Sequence, residues 1–248
     1  NAVKDGARCV CIGGGILGLE TAGALARQRA PVTLLESHGW LMPRQLNAKA
    51  GRLLKEHLGR IGIVLKENAR TREITGDGRV AGVALESGEV LPADLVILAT
   101  GVRPDTHLAR KAGLEVDKGV IVDNHLRTSH PDVFAAGDVT EHNGVVYGTW
   151  GPSQYQGTIA GLNAVGGSHL FGGLPRSNSL KVLGLDLLSV GQFEPEDGSF
   201  LVVAHEEAGR LLHFVFHDGR LVGSILLGNA SAGAAVKRAI EARTDFSG

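Results

Sequence analysis

Residues 10–20 read Val-Cys-Ile-Gly-Gly-Gly-Ile-Leu-Gly-Leu-Glu, between an apolar run and a stretch rich in alanine and leucine. This order predicts a strand, a glycine turn and a helix. Gly13 permits the tight turn, Gly15 leaves out the Cβ that would block a pyrophosphate, and Gly18 lets the helix pack closely on the sheet. The helix N-terminus offers free N–H groups and a partial positive charge to phosphates. The pattern therefore predicts a dinucleotide site, and its alternative is a purely structural βαβ unit.

The next apolar run, residues 32–36, ends in Glu36 and predicts the second strand of the same unit. A carboxylate at this place can accept hydrogen bonds from both ribose hydroxyls of the nucleotide, whereas the 2′-phosphate of NADP would meet a like charge. NAD(H) is therefore the expected nucleotide. Arg44 lies close enough in sequence to keep NADP open as a minor option, and a solvated glutamate at a strand end is the alternative for Glu36.

The composition is that of a globular, soluble chain: 248 residues, 43% of them hydrophobic, with a formal net charge of −1. The length suits one large domain or two ordinary ones. The near-neutral charge provides no basic footprint for nucleic acid and no polybasic patch for anionic lipid. No apolar stretch approaches the length that spans a bilayer. We therefore expect neither nucleic acid nor a membrane as a partner.

The two cysteines, Cys9 and Cys11, lie two residues apart on the first predicted strand. Their side chains share a face, and strand geometry makes a disulfide between them unfavourable, so they are expected to be small core residues. This cysteine usage fits a reducing compartment, with the cytoplasm as the default location. The ten histidines are scattered, and no metal site is expected.

The remaining pattern predicts alternating strands and helices. A helix over residues 46–58 with Gly59 as its stop precedes a strand over 61–65 and an antiparallel meander over 69–91, marked by the turn at 76–78. Residues 94–99 predict a buried parallel strand. Further expected elements are a strand at 119–122, a run over 133–136 that ends in Gly137-Asp138, and a helix from Pro152 to about residue 165. Apolar runs follow at 180–190, 200–205, 211–216 and 221–227, before a last helix over 231–242.

These elements predict an α/β protein of three parts. Residues 1–99 form a Rossmann-like, three-layer NAD(H)-binding domain with an antiparallel meander. Residues 100–165 form a partial second domain, which the chain enters through Thr100-Gly101 and the following Pro104, and residues 166–248 form a small α+β region.

With these pieces placed, the chain resembles the flavoprotein pyridine nucleotide-disulfide oxidoreductase superfamily. Within it, the resemblance is to NADH:rubredoxin reductases and to the flavin domain of nitrite reductase large subunits, and it covers nearly the whole chain. The motifs that carry it are residues 13–20, residues 99–104, Thr128-Ser129 through Gly137-Asp138, and residues 178–184.

The resemblance implies FAD as a second cofactor and gives roles to individual residues. Asp138 matches the aspartate that hydrogen-bonds the FAD ribitol, and the helix after Trp150 matches one that points its N-terminus at the flavin. Residues 100–165 would then be the C-terminal half of an FAD-binding domain. Ile16 and Glu20 match positions near the nicotinamide, although Glu20 fits a helix-surface glutamate nearly as well. The full set of expected cofactor-binding residues is Gly13, Gly14, Gly15, Ile16, Leu17, Gly18, Glu20, Glu36, Ser37, Arg44, Thr100, Gly101, Val102, Gly137, Asp138 and Trp150.

The chain departs from the family pattern at its start, because members carry a first FAD-binding glycine motif ahead of the NAD domain. The sequence begins at Asn1, so we expect a fragment of a longer enzyme, or a partner chain that supplies this half. The expected reaction is hydride transfer from NADH to FAD, with electrons passed on to a redox protein such as rubredoxin. No catalytic acid or base is expected. The alternatives are a disulfide, peroxide or oxygen reductase on the same scaffold, and a non-catalytic NAD(H)-binding module.

Overall fold

The computed structural model describes residues 6–175 and 177–247. The expectation attached to Asn1, and the first five residues of the predicted NAD(H) domain, lie outside these ranges. The chain divides into two compact units: the first contains the chain up to Gly101 and again from Ser177 onward, and the second begins at Val102. The predicted first region and most of the predicted third region thus lie in one unit.

The first unit begins with a parallel sheet and two helices. Its strands and helices are β1 (Cys9–Ile12), α1 (Ile16–Arg27), β2 (Val32–Leu35), α2 (Ala48–Arg60) and β3 (Ile63–Lys66), followed further along the chain by β7 (Leu95–Leu98). The strand order is β3-β2-β1-β7, and all neighbouring pairs are parallel. The two central strands, β1 and β2, are short and largely buried because both faces of the sheet are covered there.

Alternate residues of β1 face two different cores, which makes this part three layers deep. Cys9 and Cys11 pack with the apolar residues of α1 and α2 on one side of the sheet. Val10 and Ile12 pack on the other side against Val83 and neighbouring apolar residues of an antiparallel meander. The predicted three-layer α/β architecture is confirmed.

The meander consists of β4 (Thr71–Gly76), β5 (Val80–Leu85) and β6 (Val90–Pro92), paired in sequence order. Gly76 and Gly78 have φ of 146° and 62°, so the turn that the sequence predicts depends on backbone conformations that favour glycine. The antiparallel meander is therefore confirmed.

Two predictions are wrong: the residue at which α2 ends, and the burial of strand β7. Asn47 caps α2 by accepting a hydrogen bond from the Ala50 N–H at 2.9 Å, but the helix continues through Gly59 to Arg60. The reversal falls instead at Gly62, where φ is 82°. Strand β7 is not a buried strand: Leu98 is 64% exposed, because β7 is the edge of the four-stranded sheet and pairs only with β1 among the described residues.

The C-terminal part of the first unit is an antiparallel sheet of five strands with one helix. It contains β10 (Ser177–Val182), β11 (Leu185–Gly191), β12 (Leu201–Glu207), β13 (Arg210–His217), β14 (Arg220–Leu227) and α5 (Gly233–Glu241), with strand order β10-β11-β14-β13-β12. The apolar run at 180–190 is thus two strands, reversed at Leu183 and Gly184, where φ is 51° and 84°. One face of this sheet packs on α5, and the other joins the core that contains α1 and α2.

The second unit contains α3 (His107–Lys111), a parallel pair of strands, β8 (Val120–Val122) and β9 (Thr140–His142), a short 3-10 helix (Gly137–Val139) and α4 (Trp150–Ala164). In the run over residues 133–136, Phe134 makes a single bridge with Arg127. The core of this unit surrounds the fully buried Phe171. None of the helices among the described residues combines the length and apolar character that crossing a membrane requires.

Candidate functional site

The turn between β1 and α1 is held by close backbone contacts at two glycines. Gly13 has φ of 112°, and a Cβ built on it would lie 2.3 Å from the Ala99 carbonyl oxygen. A Cβ on Gly18 would lie 1.9 Å from the Gly13 carbonyl oxygen. Neither place has room for a side chain, so these two glycines allow the helix to start directly against the ends of β1 and β7.

Gly15 is different, because a Cβ built on it meets nothing within 4 Å. Its φ of −80° is accessible to any residue, so neither packing nor backbone conformation requires a glycine here. Gly15 is also the N-cap of α1, and among the described residues no side chain caps this helix. The turn therefore presents an open surface next to uncapped helical N–H groups, which is an arrangement suited to an anion.

Glu36 follows β2 and turns its buried carboxylate toward this turn. Its Oε2 accepts a hydrogen bond from the Gly14 N–H at 2.9 Å. Its Oε1 accepts from the His38 N–H at 2.8 Å, from His38 Nδ1 at 2.8 Å and from the Ser37 hydroxyl at 3.2 Å. Of the two carboxylate oxygens, Oε2 therefore has the larger remaining capacity to accept a hydrogen bond.

The Glu36 carboxylate is kept ionised by these contacts. Burial raises the pKa of Glu36, but the hydrogen bonds from His38, Gly14 and Ser37 together outweigh it, and the pKa lies below its ordinary value. The negative charge of Glu36 is thus held against Gly14, the residue before Gly15 and its open surface.

The loop between Glu36 and α2 folds back over the glycine turn. The Met42 N–H donates to the Gly14 carbonyl at 3.2 Å, and Leu41 lies 2.7 Å from the position of a Cβ on Gly14. Arg44 lies exposed in the same loop and makes no ion pair with the described residues. Sequence reasoning missed His38, and it missed the contacts that Leu41 and Met42 make with Gly14. The only available signal was that these residues follow Glu36 closely in the sequence.

Other expected residues lie along the same edge of the sheet, since β1 and β7 are in register from Cys9–Leu95 to Ile12–Leu98. Ile16 packs on the core, whereas Leu17 in the first turn of α1 is 71% exposed. Thr100 and Gly101 follow β7, and the Thr100 nitrogen lies 3.3 Å from the position of a Cβ on Gly13. Val102, which is 84% exposed, begins the second unit.

Glu20 makes a contact that the sequence did not indicate. Its Oε1 accepts a hydrogen bond from the Leu183 N–H at 3.0 Å, in the turn between β10 and β11. His57 Nε2 lies 3.0 Å from the Leu183 carbonyl oxygen, and a Cβ on Gly23 would lie 2.2 Å from the Leu183 side chain. Both helices of the parallel sheet therefore hold this turn, and Glu20 joins the two parts of the first unit.

In the second unit, the expected residues gather around the N-terminus of α4. Gly137 has φ of 84°, and its N–H donates to Gln156 Oε1 at 2.8 Å. Asp138 Oδ1 accepts from the Ser153 hydroxyl at 2.9 Å. Trp150 is the first residue of α4 and is 82% exposed. Sequence reasoning missed Gln156, because nothing in the sequence distinguishes it from Gln154 two residues earlier.

Gln156 also has an unused donor. It is 1% exposed, yet within the described part of the chain its Nε2 has no hydrogen-bond partner. A buried amide without a partner is unfavourable, typically by about 1–3 kcal/mol. Together with the helix N-terminus that no described side chain caps, it provides hydrogen-bond donors beside Asp138 for a ligand with polar groups.

The two cysteine thiols belong neither to the residues around the β1–α1 turn nor to those around the N-terminus of α4. Cys9 and Cys11 are free and buried, as predicted. Burial, and secondarily the neighbouring Cys9, raises the pKa of Cys11 to about 11, so it remains a protonated thiol at neutral pH. Across residues 6–175 and 177–247, no three His, Cys, Asp or Glu side chains gather at metal-binding distances.

Comparison with known proteins relates both parts of the chain to one group of enzymes. The family model for pyridine nucleotide-disulphide oxidoreductases matches residues 1–158. The model for the rubredoxin NAD+ reductase C-terminal domain matches residues 177–244. The second match coincides with the five-stranded antiparallel sheet and α5.

Individual relatives agree with these matches. Nitrite reductase [NAD(P)H] of Bacillus subtilis is 35% identical over 99% of the chain and 31% of its own length. NADH-rubredoxin oxidoreductase of Clostridium acetobutylicum is 28% identical over 98% of the chain and 60% of its own length; its crystal structure gives a TM-score of 0.78. An NAD-dependent persulfide reductase from A. fulgidus gives a TM-score of 0.88 at 27% identity, over 97% of this chain and 50% of that one. The chain thus spans less than two thirds of the length of these relatives.

Proposed function

The chain belongs to the pyridine nucleotide-disulphide oxidoreductase family, and from this premise we propose that it is the NAD(H)-binding and C-terminal portion of an NADH-dependent FAD oxidoreductase. In this proposal residues 1–99 bind NAD(H), residues 100–165 contribute to an FAD-binding domain, and residues 166–248 form a small C-terminal domain. The observation that carries the proposal is the open surface at Gly15. The fold itself does not require a glycine at this position, because a Cβ there would meet nothing within 4 Å.

The nucleotide diphosphate is proposed to rest against Gly15 and the first turn of α1. A side chain at this position would occupy the place of a phosphate, while the helix N–H groups offer hydrogen bonds and a favourable dipole. Gly14 connects this contact to the ribose, because its N–H is held by the same Glu36 carboxylate that is proposed to accept the ribose hydroxyl. Ile16, Leu17, Ser37, Thr100, Gly101 and Val102 complete the proposed nucleotide-binding set, and Arg44 is proposed to lie at its rim.

The Glu36 carboxylate favours NADH over NADPH. Its charge is fixed and buried, and a 2′-phosphate beside it would be repelled, at a cost on the order of several kcal/mol. The four hydrogen bonds on Glu36 also prevent it from turning away to make room.

FAD is proposed to bind the second unit, and the residues there fit it. The Asp138 carboxylate suits the ribitol hydroxyls, and the N-terminus of α4 and the unpartnered Gln156 Nε2 suit the carbonyl oxygens and nitrogens of an isoalloxazine ring. A helix N-terminus stabilises nearby negative charge by about 0.3–1 kcal/mol when exposed and up to ~2 kcal/mol when partly buried. When bound, FAD supplies the two-electron acceptor for the hydride of NADH. This chain binds and orients the cofactors, and no side chain in it is assigned as acid or base.

The electrons are proposed to leave for a small redox protein. The NADH-rubredoxin oxidoreductase relative and the match to the rubredoxin NAD+ reductase C-terminal domain support an acceptor of the rubredoxin type. The first FAD-binding half of the complete enzyme is proposed to come from a further segment or a partner chain. The proposed location is the cytoplasm.

Two measurements test this function. Calorimetry of the chain with NADH should show one binding site, and absence of heat would refute the nucleotide site. Mixing NADH anaerobically with the full-length enzyme, which contains the proposed first FAD-binding half, should bleach the visible flavin absorbance. Persistence of oxidised absorbance, with NADH bound, would favour an NAD(H)-binding module over an oxidoreductase.

A further inference from the structure

The first two turns of α4 hold the segment that carries Asp138 at two points. Gln156 Oε1 accepts a hydrogen bond from the Gly137 N–H at 2.8 Å, and the Ser153 hydroxyl donates to Asp138 Oδ1 at 2.9 Å. Residues 153 and 156 are three apart in the helix and therefore lie on one face of it. The helix thus fixes both the backbone at Gly137 and one oxygen of the Asp138 carboxylate.

The two oxygens of the Asp138 carboxylate differ in what they contact. Within residues 6–175 and 177–247, Oδ1 accepts from Ser153 and Oδ2 has no hydrogen-bond partner. Asp138 is an exposed residue, whereas Ser153 is half-buried. An ionised carboxylate only accepts hydrogen bonds, so Oδ2 is open to a ligand that donates one, such as a hydroxyl group.

The Ser153 hydroxyl has one proton and two acceptors within reach. Besides Asp138 Oδ1, the Thr149 carbonyl oxygen lies 2.9 Å from it. A hydrogen bond to an ionised carboxylate is stronger than one to a neutral carbonyl, so the carboxylate is the favoured acceptor. The Ser153 backbone N–H donates to the same Thr149 carbonyl at 3.2 Å, so this carbonyl keeps a partner when the hydroxyl turns to Asp138.

No charged group of the described chain competes with Ser153 for the Asp138 carboxylate. Residues 150–164 of α4 contain no Asp, Glu, Lys or Arg. None of the ion pairs among the described residues includes Asp138. The last torsion of an aspartate side chain is broad, so a carboxylate without a contact turns between several directions. Among the described residues, the Ser153 hydroxyl is thus the contact that fixes the direction of Oδ2.

We propose that Ser153 is a positioning residue for FAD: its hydroxyl holds Asp138 Oδ1 and so directs Oδ2 toward a hydroxyl group of the ribitol chain. The inference rests on the proposed FAD-binding role of residues 100–165. It goes beyond that role, because it makes flavin affinity depend on a side chain that need not touch the cofactor. A carboxylate that is already held loses less conformational freedom when the ligand binds.

The test uses the full-length enzyme freed of flavin and two ligands: FAD, and an FAD analogue whose side chain carries no ribitol hydroxyl groups. Fluorescence titration gives a Kd for each ligand and requires no turnover. Wild type should bind FAD more tightly than the analogue, and Ser153→Ala should lower this preference about tenfold, or ~1.4 kcal/mol. Alanine favours a helix more than serine does, so α4 is expected to form in this variant. Ser153→Thr, which keeps the hydroxyl, should keep the preference.

Two controls separate positioning from a structural role. The Kd of the analogue should be the same in wild type and Ser153→Ala, because the analogue has no hydroxyl for Asp138 to bind. In the Asp138→Ala background, Ser153→Ala should not change the preference further, since the two residues act as one unit.

An unchanged preference in Ser153→Ala, or equal weakening of both ligands, would overturn the role of Ser153 and leave the FAD site intact. A further loss of preference in the Asp138→Ala background would overturn it too, and so would equal affinity of wild type for the two ligands. Failure of wild type to bind either ligand would refute the proposed FAD site, and this inference with it.

Discussion

The variants Gly15→Ala and Gly18→Ala are expected to separate nucleotide binding from folding. At Gly15 the added methyl group meets nothing within 4 Å, so the fold accepts it. Alanine is a poorer N-cap than glycine, but it also reduces the conformational entropy of the unfolded chain by about 0.4–1 kcal/mol, and the two effects offset each other. We expect the free energy of unfolding to change by less than about 1 kcal/mol.

At Gly18 the same methyl group would lie 1.9 Å from the Gly13 carbonyl oxygen. Carbon and oxygen make close contacts at about 3.3 Å, so α1 would have to move by about 1.4 Å from the sheet. Because the core on this side is closely packed, we expect a loss of at least about 3 kcal/mol of stability, the upper range for overpacking.

The assays are urea unfolding for stability and calorimetry for NADH. Gly15→Ala should unfold like wild type yet bind NADH at least about a hundredfold more weakly, which corresponds to ~2.7 kcal/mol. Gly18→Ala should show a lowered urea midpoint. Unchanged NADH affinity in Gly15→Ala would refute the assignment of the open surface to the diphosphate. Unchanged stability in Gly18→Ala would refute the packing argument.

Three further outcomes are expected. Cys9 and Cys11 should resist thiol reagents near neutral pH until the chain is unfolded in urea, since both are buried and the pKa of Cys11 is raised to about 11; reaction of the native protein would contradict this. Hydrogen bonds from Arg8, first from its side chain and then from its N–H, lower the pKa of Asp94 from 3.8 to about 2, so this stabilisation is complete above about pH 3.8 and is lost as the pH falls through 2. Carboxyl NMR titration of Arg8→Ala, which keeps the N–H of residue 8, should show the Asp94 pKa moving up toward 3.8, and an unmoved value would exclude the Arg8 side chain as the main cause. Glu20→Ala should lower the free energy of unfolding by about 1–2 kcal/mol, measured in urea, because it leaves a backbone N–H of the β10–β11 turn without its acceptor; Glu20→Gln, which keeps an acceptor oxygen at the same reach, serves as the comparison.

Local chemistry made much of this fold predictable from sequence. The glycine turn at residues 13–18 and the turn at 76–78 need backbone conformations or contacts that few residues other than glycine allow. Alternation of apolar residues marked the meander, and length and continuity marked the parallel strands. These signals are encoded within a few residues, so no knowledge of the rest of the chain was required.

Contacts between distant segments could not be predicted in this way. The exposure of Leu98 depends on which strand lies at the edge of the sheet, a property of topology that strand composition does not encode. The hydrogen bond between Glu20 and Leu183 joins residues 163 positions apart. Gln156 is nineteen residues from Gly137, and only the folded unit brings its amide to the turn.

The glycine motif itself shows why sequence alone leaves the site undecided. Gly13, Gly15 and Gly18 are the same residue in the sequence, but their surroundings differ in the structure. A Cβ on Gly13 or Gly18 would collide with the backbone of the chain itself, whereas a Cβ on Gly15 would meet nothing within 4 Å. A structural βαβ turn requires only the first kind. A glycine that the fold does not need is not by itself evidence of a ligand, since Gly59, Gly151 and Gly157 are equally free of contacts. Gly15 differs because it lies beside a buried carboxylate and at an uncapped helix N-terminus, and for this reason we propose that a diphosphate contacts it. The alanine variant at Gly15 therefore tests the function, whereas the variant at Gly18 tests only the fold.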